Sequence, residues 1–178
     1  HNLADHSRKQ INVIRKLLYA CDISNLSDDF ILMNDDFFFL QQTEIKNYTN
    51  RLTLEALRDR TPKSGYGIAI GNTIEYLKKH DLPRINYEIH YPMIINKKKF
   101  KAIFKDLKLD REYNYRSIYG NHYNLPCLPI QDFKIHEIAE FDENKLREFI
   151  SISDRLIIYD KFKNYLKKTF PDKSEYEI

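Results

Sequence analysis

Four short stretches carry the side chains able to do chemistry. In Met33-Asn34-Asp35-Asp36, two adjacent carboxylates follow the apolar run Phe30-Ile31-Leu32-Met33 abruptly. Neighbouring carboxylates repel unless a cation or a donor network compensates, and a hard divalent cation with oxygen ligands is the simplest compensation. Open α/β sheets bind ligands at such strand ends. The competing reading is a plain turn or helix cap, where Asn and Asp are common. In Tyr87-Glu88-Ile89-His90-Tyr91-Pro92, an extended backbone sets Glu88 and His90 on one face. There an imidazole serves as base or metal ligand, or as a hydrogen-bonded structural residue. Around Arg116, the run Tyr113-Asn114-Tyr115-Arg116 up to Tyr123 places a guanidinium among aromatics. That suits forking onto a phosphate or stacking on a base, and equally ordinary cation–π packing. Gln131-Asp132-Phe133-Lys134 offers a carboxylate and an ammonium to the same cleft, or is surface loop. His6, His80, His122 and His136 sit in weaker contexts.

The elements that must position these groups follow from periodicity. Arg8 to Cys21 repeats Ile11, Ile14, Leu17, Leu18 and Cys21 at helical spacing, with Asp5 or Ser7 as cap. Phe30 to Met33, apolar on both faces, reads as a central strand covered on both sides. Phe37-Phe38-Phe39-Leu40 is too aromatic for a solvated loop and should turn back into the core. Thr49 to Asp59 reads weakly as helix, residues 58–67 as loop, and Ile68 to His80 as helix. Ile85 to Ile95 alternates in part and predicts a strand, followed by a helix from Lys97 to Leu107. Tyr113 to Gln131 looks irregular, while Phe141 to Phe149 and Ser153 to Phe170 read as helices. Helices alternating with buried strands predict an α/β fold with a mixed, mainly parallel central sheet flanked by helices. One domain over residues 1–178 is expected, with 109–140 an irregular segment over the site and 141–178 a helical end.

Composition narrows the function classes. The 178 residues carry 29 Lys and Arg against 26 Asp and Glu, a net charge of +3. The densest basic cluster, Lys97-Lys98-Lys99-Phe100-Lys101 with Lys105 and Lys108, reads as a solvated helix face, or as a patch attracting an anionic substrate. Such mild, interleaved charge disfavours nucleic acid as a partner. No apolar run is long enough for a membrane span. Cys21 and Cys127, far apart and in apolar settings, predict buried free thiols, and the lack of a leader segment predicts a cytoplasmic setting. Only 4 glycines leave little room for a glycine-rich phosphate loop. The chain opens on His1 rather than Met, which suggests trimming.

Read in order, these segments resemble a family. The helix Arg8 to Cys21, then Ile23-Ser24-Asn25-Leu26-Ser27-Asp28-Asp29-Phe30-Ile31-Leu32-Met33-Asn34-Asp35-Asp36, is similar to the Stealth proteins' helix leading into an "LS…F(I/L)…NDD" segment. His90-Tyr91-Pro92 followed by Ile95-Asn96-Lys97 resembles the family's later His-x-Pro segment, and Arg116 stands where the family places an essential arginine. Stealth proteins are sugar-phosphate transferases, among them capsular polysaccharide phosphotransferases and the lysosomal-enzyme N-acetylglucosamine phosphotransferase. The chain also resembles phage glycosyltransferase-like proteins that share the closing Phe170-Pro171-Asp172-Lys173-Ser174-Glu175-Tyr176-Glu177. The resemblance implies a glycosyltransferase A type fold and a nucleotide-sugar donor with a carbohydrate or polymer acceptor. It also implies a divalent cation, Mg²⁺ or Mn²⁺, at Asp35 and Asp36. Asn12, Asn34 and Arg116 become donor contacts, and His90, Arg116 and Asp36 the catalytic set. Family members begin with a strand motif and a helix bearing ELRYSLRS-like residues, so one or two strands are expected ahead of His1. The expected function is a metal-dependent glycosyl or sugar-phosphate transferase. The rivals are a metal-dependent nuclease or phosphodiesterase, and a non-catalytic carbohydrate-binding or structural module.

Overall fold

A computed structural model describes residues 8–61, 65–146 and 148–172. In chain order its elements are α1 (Lys9–Cys21), β1 (Asp29–Leu32), β2 (Phe37–Phe39), β3 (Tyr48–Asn50), α2 (Leu54–Arg60), α3 (Tyr66–Lys79), β4 (Met93–Asn96), α4 (Lys97–Phe104), α5 (Tyr115–His122), β5 (Leu128–Ile130), β6 (Lys134–Ile135), β7 (Phe149–Ile152) and α6 (Asp160–Thr169). The chain is mixed α/β, and among the described residues three small sheets stand in place of the expected central one: β1-β4, β2-β7-β6 and β3-β5. By its internal contacts the chain divides into two compact units. The first is built from residues up to Leu32, Lys46–Ile89 and Met93–Gln131, the second from Met33–Ile45, His90–Pro92 and residues from Asp132 onward.

In the first unit α1 buries Ile11, Ile14, Leu17 and Cys21 as its periodicity demands; the expected caps Asp5 and Ser7 lie outside the described residues. β1 and β4 pair antiparallel, with Ile31 opposite Ile94. Phe30 and Leu32 pack against the core, whereas Ile31 is 51% exposed. The strand therefore has cover on one face only, because a two-stranded ribbon has no second layer over its outer side. α4 stacks Phe100 on Phe104 at 4.4 Å between ring centres. Its Lys98 and Lys101 pair with Asp28 and Asp22, as a solvated face should. Lys97 turns inward instead, its ammonium donating to the carbonyl oxygens of Ile23 and Leu26.

The greatest departures from the expected pattern concern residues 85–92 and 113–131. Residues 82–92 form no strand and bend at His90 and Tyr91, and the region expected to be irregular contains α5. These two findings share one cause. The backbone of 85–88 is satisfied largely by side chains: Asn121 accepts from the Ile85 N–H at 2.9 Å and donates to its carbonyl at 2.8 Å, as a neighbouring strand would. The Ser117 hydroxyl accepts from the Tyr87 N–H, and Asn86 accepts from that of Glu88. Ser117, Gly120 and Asn121 share one face of α5, and every residue from Tyr115 to Asn121 is buried. With no solvated face, α5 lacks the apolar/polar alternation that reveals helices.

The second unit is built on β2-β7-β6. β7 pairs antiparallel with β2, Phe37 opposite Ser151, and parallel with β6, Lys134 beside Ser151. Successive side chains alternate between faces. Phe38, Ile135, Ile150 and Ile152 consequently join Phe141, Leu156 and Phe162 in one core. Phe37, Phe39, Lys134, Phe149 and Ser151 share the other face. The helix expected at 141–149 is instead a 3₁₀ turn, Glu143–Lys145, running towards β7. Phe149-Ile150-Ser151-Ile152 has a β-branched, aromatic-flanked composition that favours a pleated strand. The long helix expected from Ser153 begins as a 3₁₀ turn, Asp154–Ile158, before α6. No described helix is long and apolar enough to cross a membrane. Both cysteines are free thiols; Cys21 is buried and Cys127 half-buried.

Candidate active site

The face of the second unit's sheet that carries Lys134 and Ser151 gathers two charged pairs. Asp36 ends the turn between β1 and β2, and its backbone carbonyl accepts from the Ile152 N–H, tying the turn to β7. Lys134 Nζ donates to its Oδ2 at 2.8 Å and Ser151 Oγ to the same oxygen at 3.1 Å. The Asp36 and Lys134 side chains are only 15% and 19% exposed. The other oxygen, Oδ1, is buried and has no hydrogen-bond partner. Burial pushes the Asp36 carboxyl up, but the Lys134 hydrogen bond and charge, with Ser151 and the charge of His90, outweigh it and hold it below its ordinary value. Asp36 is therefore ionised at neutral pH.

His90 and Asp132 form the second pair, with Nδ1 and Oδ2 2.7 Å apart. An ionised carboxylate can only accept, so Nδ1 carries the proton and a neutral ring presents Nε2 as its lone-pair nitrogen. Asp132 is held in turn by the N–H groups of His90 and Phe133, which donate to its Oδ1 at 2.9 and 2.8 Å. Burial raises its carboxyl, yet the hydrogen bonds and charge of His90 and the Phe133 N–H bring it below the usual carboxylate range. Aromatic rings pack beside the pair. Tyr91 lies 5.0 Å from Phe133 and 5.0 Å from Phe149, while Phe149 also meets Phe37 edge-on at 5.1 Å.

The remaining expected residues each have their own setting. Asn34 and Asp35 are exposed at the turn before Asp36. Glu88 and His90 do not share one strand face: Glu88 Oε1 accepts from the backbone N–H and hydroxyl of Ser117, capping the first turn of α5. Arg116 is buried in α5, 5% exposed, in the first unit, and Asn12 is half-buried on α1 of that unit. Sequence reasoning missed Ser151, a lone hydroxyl within an apolar run, which only the strand register reveals. Asp132 and Lys134 had been marked by their neighbourhood alone; the fold gives each a definite partner.

Among the described residues no three or more His, Cys, Asp or Glu are gathered as a ready-made metal cage. The donor set nevertheless fits a cation of the Mg²⁺ class. Such ions take one or two carboxylates and complete their shell with water and substrate phosphate. Asp36 Oδ1 is an orphaned acceptor, with the Asp35 carboxylate one residue away. Compared with known protein families, curated proteins and solved structures, the chain matches none.

Proposed function

We propose that the chain is a metal-dependent transferase acting on a nucleotide-sugar donor, by glycosyl or sugar-phosphate transfer, on a glycosyltransferase A-like fold. The observation that carries this reading is the His90–Asp132 pair, 2.7 Å apart, in the same compact unit as the orphaned Asp36 oxygen. The resemblance to Stealth proteins supports it. Asp36, with Asp35, would hold Mg²⁺ or Mn²⁺, which when bound neutralises charge on a donor pyrophosphate.

The chain's own groups do the rest. Asp132 fixes the ring of His90 with the proton on Nδ1, so that Nε2 takes the proton of an acceptor hydroxyl as it attacks. Asp132 then stabilises the imidazolium that forms. The resemblance assigns a phosphate contact to Arg116, which is buried in α5 of the first unit.

The test is Mn²⁺-dependent turnover of a panel of UDP-, GDP- and CMP-sugars by the full chain, with His90→Ala as comparison. Loss of a positioned general base typically costs about 10²–10⁴-fold. Metal-dependent cleavage of a phosphodiester, with no donor turned over, would replace the transferase reading by the hydrolase one.

A further inference from the structure

The Asp36–Lys134 pair has a consequence that rests on the cation reading above. We propose that Lys134 is a built-in counter-cation of Asp36, and that a divalent cation binding there competes with its ammonium and drives it off the carboxylate. Four observations carry this. First, the carboxylate already has its charge matched at 2.8 Å, in a setting where both side chains are largely buried and solvent screens them little. Second, the vacant acceptor is the other oxygen of the same carboxylate, so an ion bound there would sit beside a like charge.

Third, Asp35, the second carboxylate the cation would use, is exposed, and Asp132 is committed to the donors of His90 and Phe133, so Lys134 is the counter-charge that Asp36 holds in the absence of metal. Fourth, the two groups holding Asp36 differ in mobility. Ser151 is fully buried in the middle strand of its sheet and stays, whereas the ammonium of Lys134 rides on a flexible four-carbon stem and can swing away. In this reading Asp36 and Lys134 balance one another when no metal is present, and one binding event places a divalent cation at Asp36 and releases an ammonium able to meet an anionic substrate.

Mn²⁺ titration calorimetry on the wild type, Lys134→Met, Lys134→Arg and Asp36→Asn chains tests the competition. Removing the like charge should tighten Mn²⁺ binding by about tenfold or more in Lys134→Met and leave Lys134→Arg near wild type. Asp36→Asn should abolish binding. A parallel measurement needs no variant: acetylation of the wild type, mapped by mass spectrometry, should modify Lys134 several-fold faster with saturating Mn²⁺ than without it. Asp36-dependent binding that is no tighter in Lys134→Met, with Lys134 acetylation unmoved by Mn²⁺, overturns this inference and leaves the cation reading standing. If Lys134→Met does not fold, the acetylation result decides alone. Absence of Asp36-dependent Mn²⁺ binding in every chain overturns both.

Discussion

Gly120→Ala puts the packing of α5 to a quantitative test. A Cβ on Gly120 would meet Tyr87 Cδ2, Cε2 and Cγ at 2.5, 2.6 and 2.7 Å, where carbon atoms ordinarily rest about 3.5–4.0 Å apart. Tyr87 cannot step aside cheaply. It is 2% exposed, its hydroxyl donates to the Leu125 carbonyl at 2.7 Å, and its N–H is held by Ser117. Relief of about 1 Å of overlap must come from shifting the ring, with loss of that hydrogen bond, or from separating α5 from the 85–89 segment. Overpacking of this kind costs about 1–3 kcal/mol or more, and a lost hydrogen bond about 1 kcal/mol. Replacing glycine inside a helix returns about 1 kcal/mol. The net expectation is a loss of about 1–3 kcal/mol, which in a chain of this size lowers the melting temperature by roughly 2–12 °C. Gly71→Ala is the matched control in α3: its Cβ meets the Arg58 side chain, the Nε at 3.1 Å and the Cδ and Nη2 at 3.9 and 4.0 Å, and that side-chain end can move. It should be neutral or stabilising by up to about 1 kcal/mol. Thermal melts followed by circular dichroism compare the two. Equal shifts for both variants, or a Gly120→Ala melt at or above wild type, would refute the reasoning.

Two further outcomes follow from charge. Lys97→Met removes the ammonium that donates to the Ile23 and Leu26 carbonyls and should cost about 1.5–3 kcal/mol, read by urea denaturation; no change would mean that the loop after α1 does not depend on it. Asp132 has a folded pKa below its unfolded value, so its contribution to stability is complete well above about pH 4, the ordinary carboxylate value, and is lost as pH falls through the depressed folded value. Stability of the wild type should therefore fall more between pH 6 and pH 3 than that of Asp132→Asn, checked by denaturant melts at both pH values; parallel losses would remove the His90 pairing as the cause.

Helices with one wet face were legible from the sequence: α1, α3 and α4 each begin and end within a few residues of where their apolar spacing places them. The failures share a physical origin. α5 has no wet face, and its polar residues Ser117 and Asn121 are spent on the backbone of another segment, which in turn needs no strand partner. Periodicity registers burial by solvent contrast, and where polar groups are satisfied internally that contrast vanishes. The same holds at the candidate site. Asp35 and Asp36 stood out as an abrupt change from apolar to acidic, but that change does not reveal which of the two is held by the fold; register does, by placing Ser151 and Lys134 on one face of adjacent strands.

The segment entering β6 is what links the two charged pairs. Asp132 takes His90, and Lys134, two residues later, takes Asp36. Two residues apart, they let one short stretch supply the acceptor that orients the imidazole and the cation that balances the carboxylate, with Lys134 on the Ser151 side of the sheet. The parallel pairing of Lys134 with Ser151 and of Ile135 with Ile152 fixes that side. A slip of one residue would bury the ammonium among Phe141, Leu156 and Phe162 and turn Ile135 onto the other face, a cost the core of this unit does not permit. The placing of Lys134 against Asp36 is thus enforced by hydrophobic packing on the opposite face of the sheet.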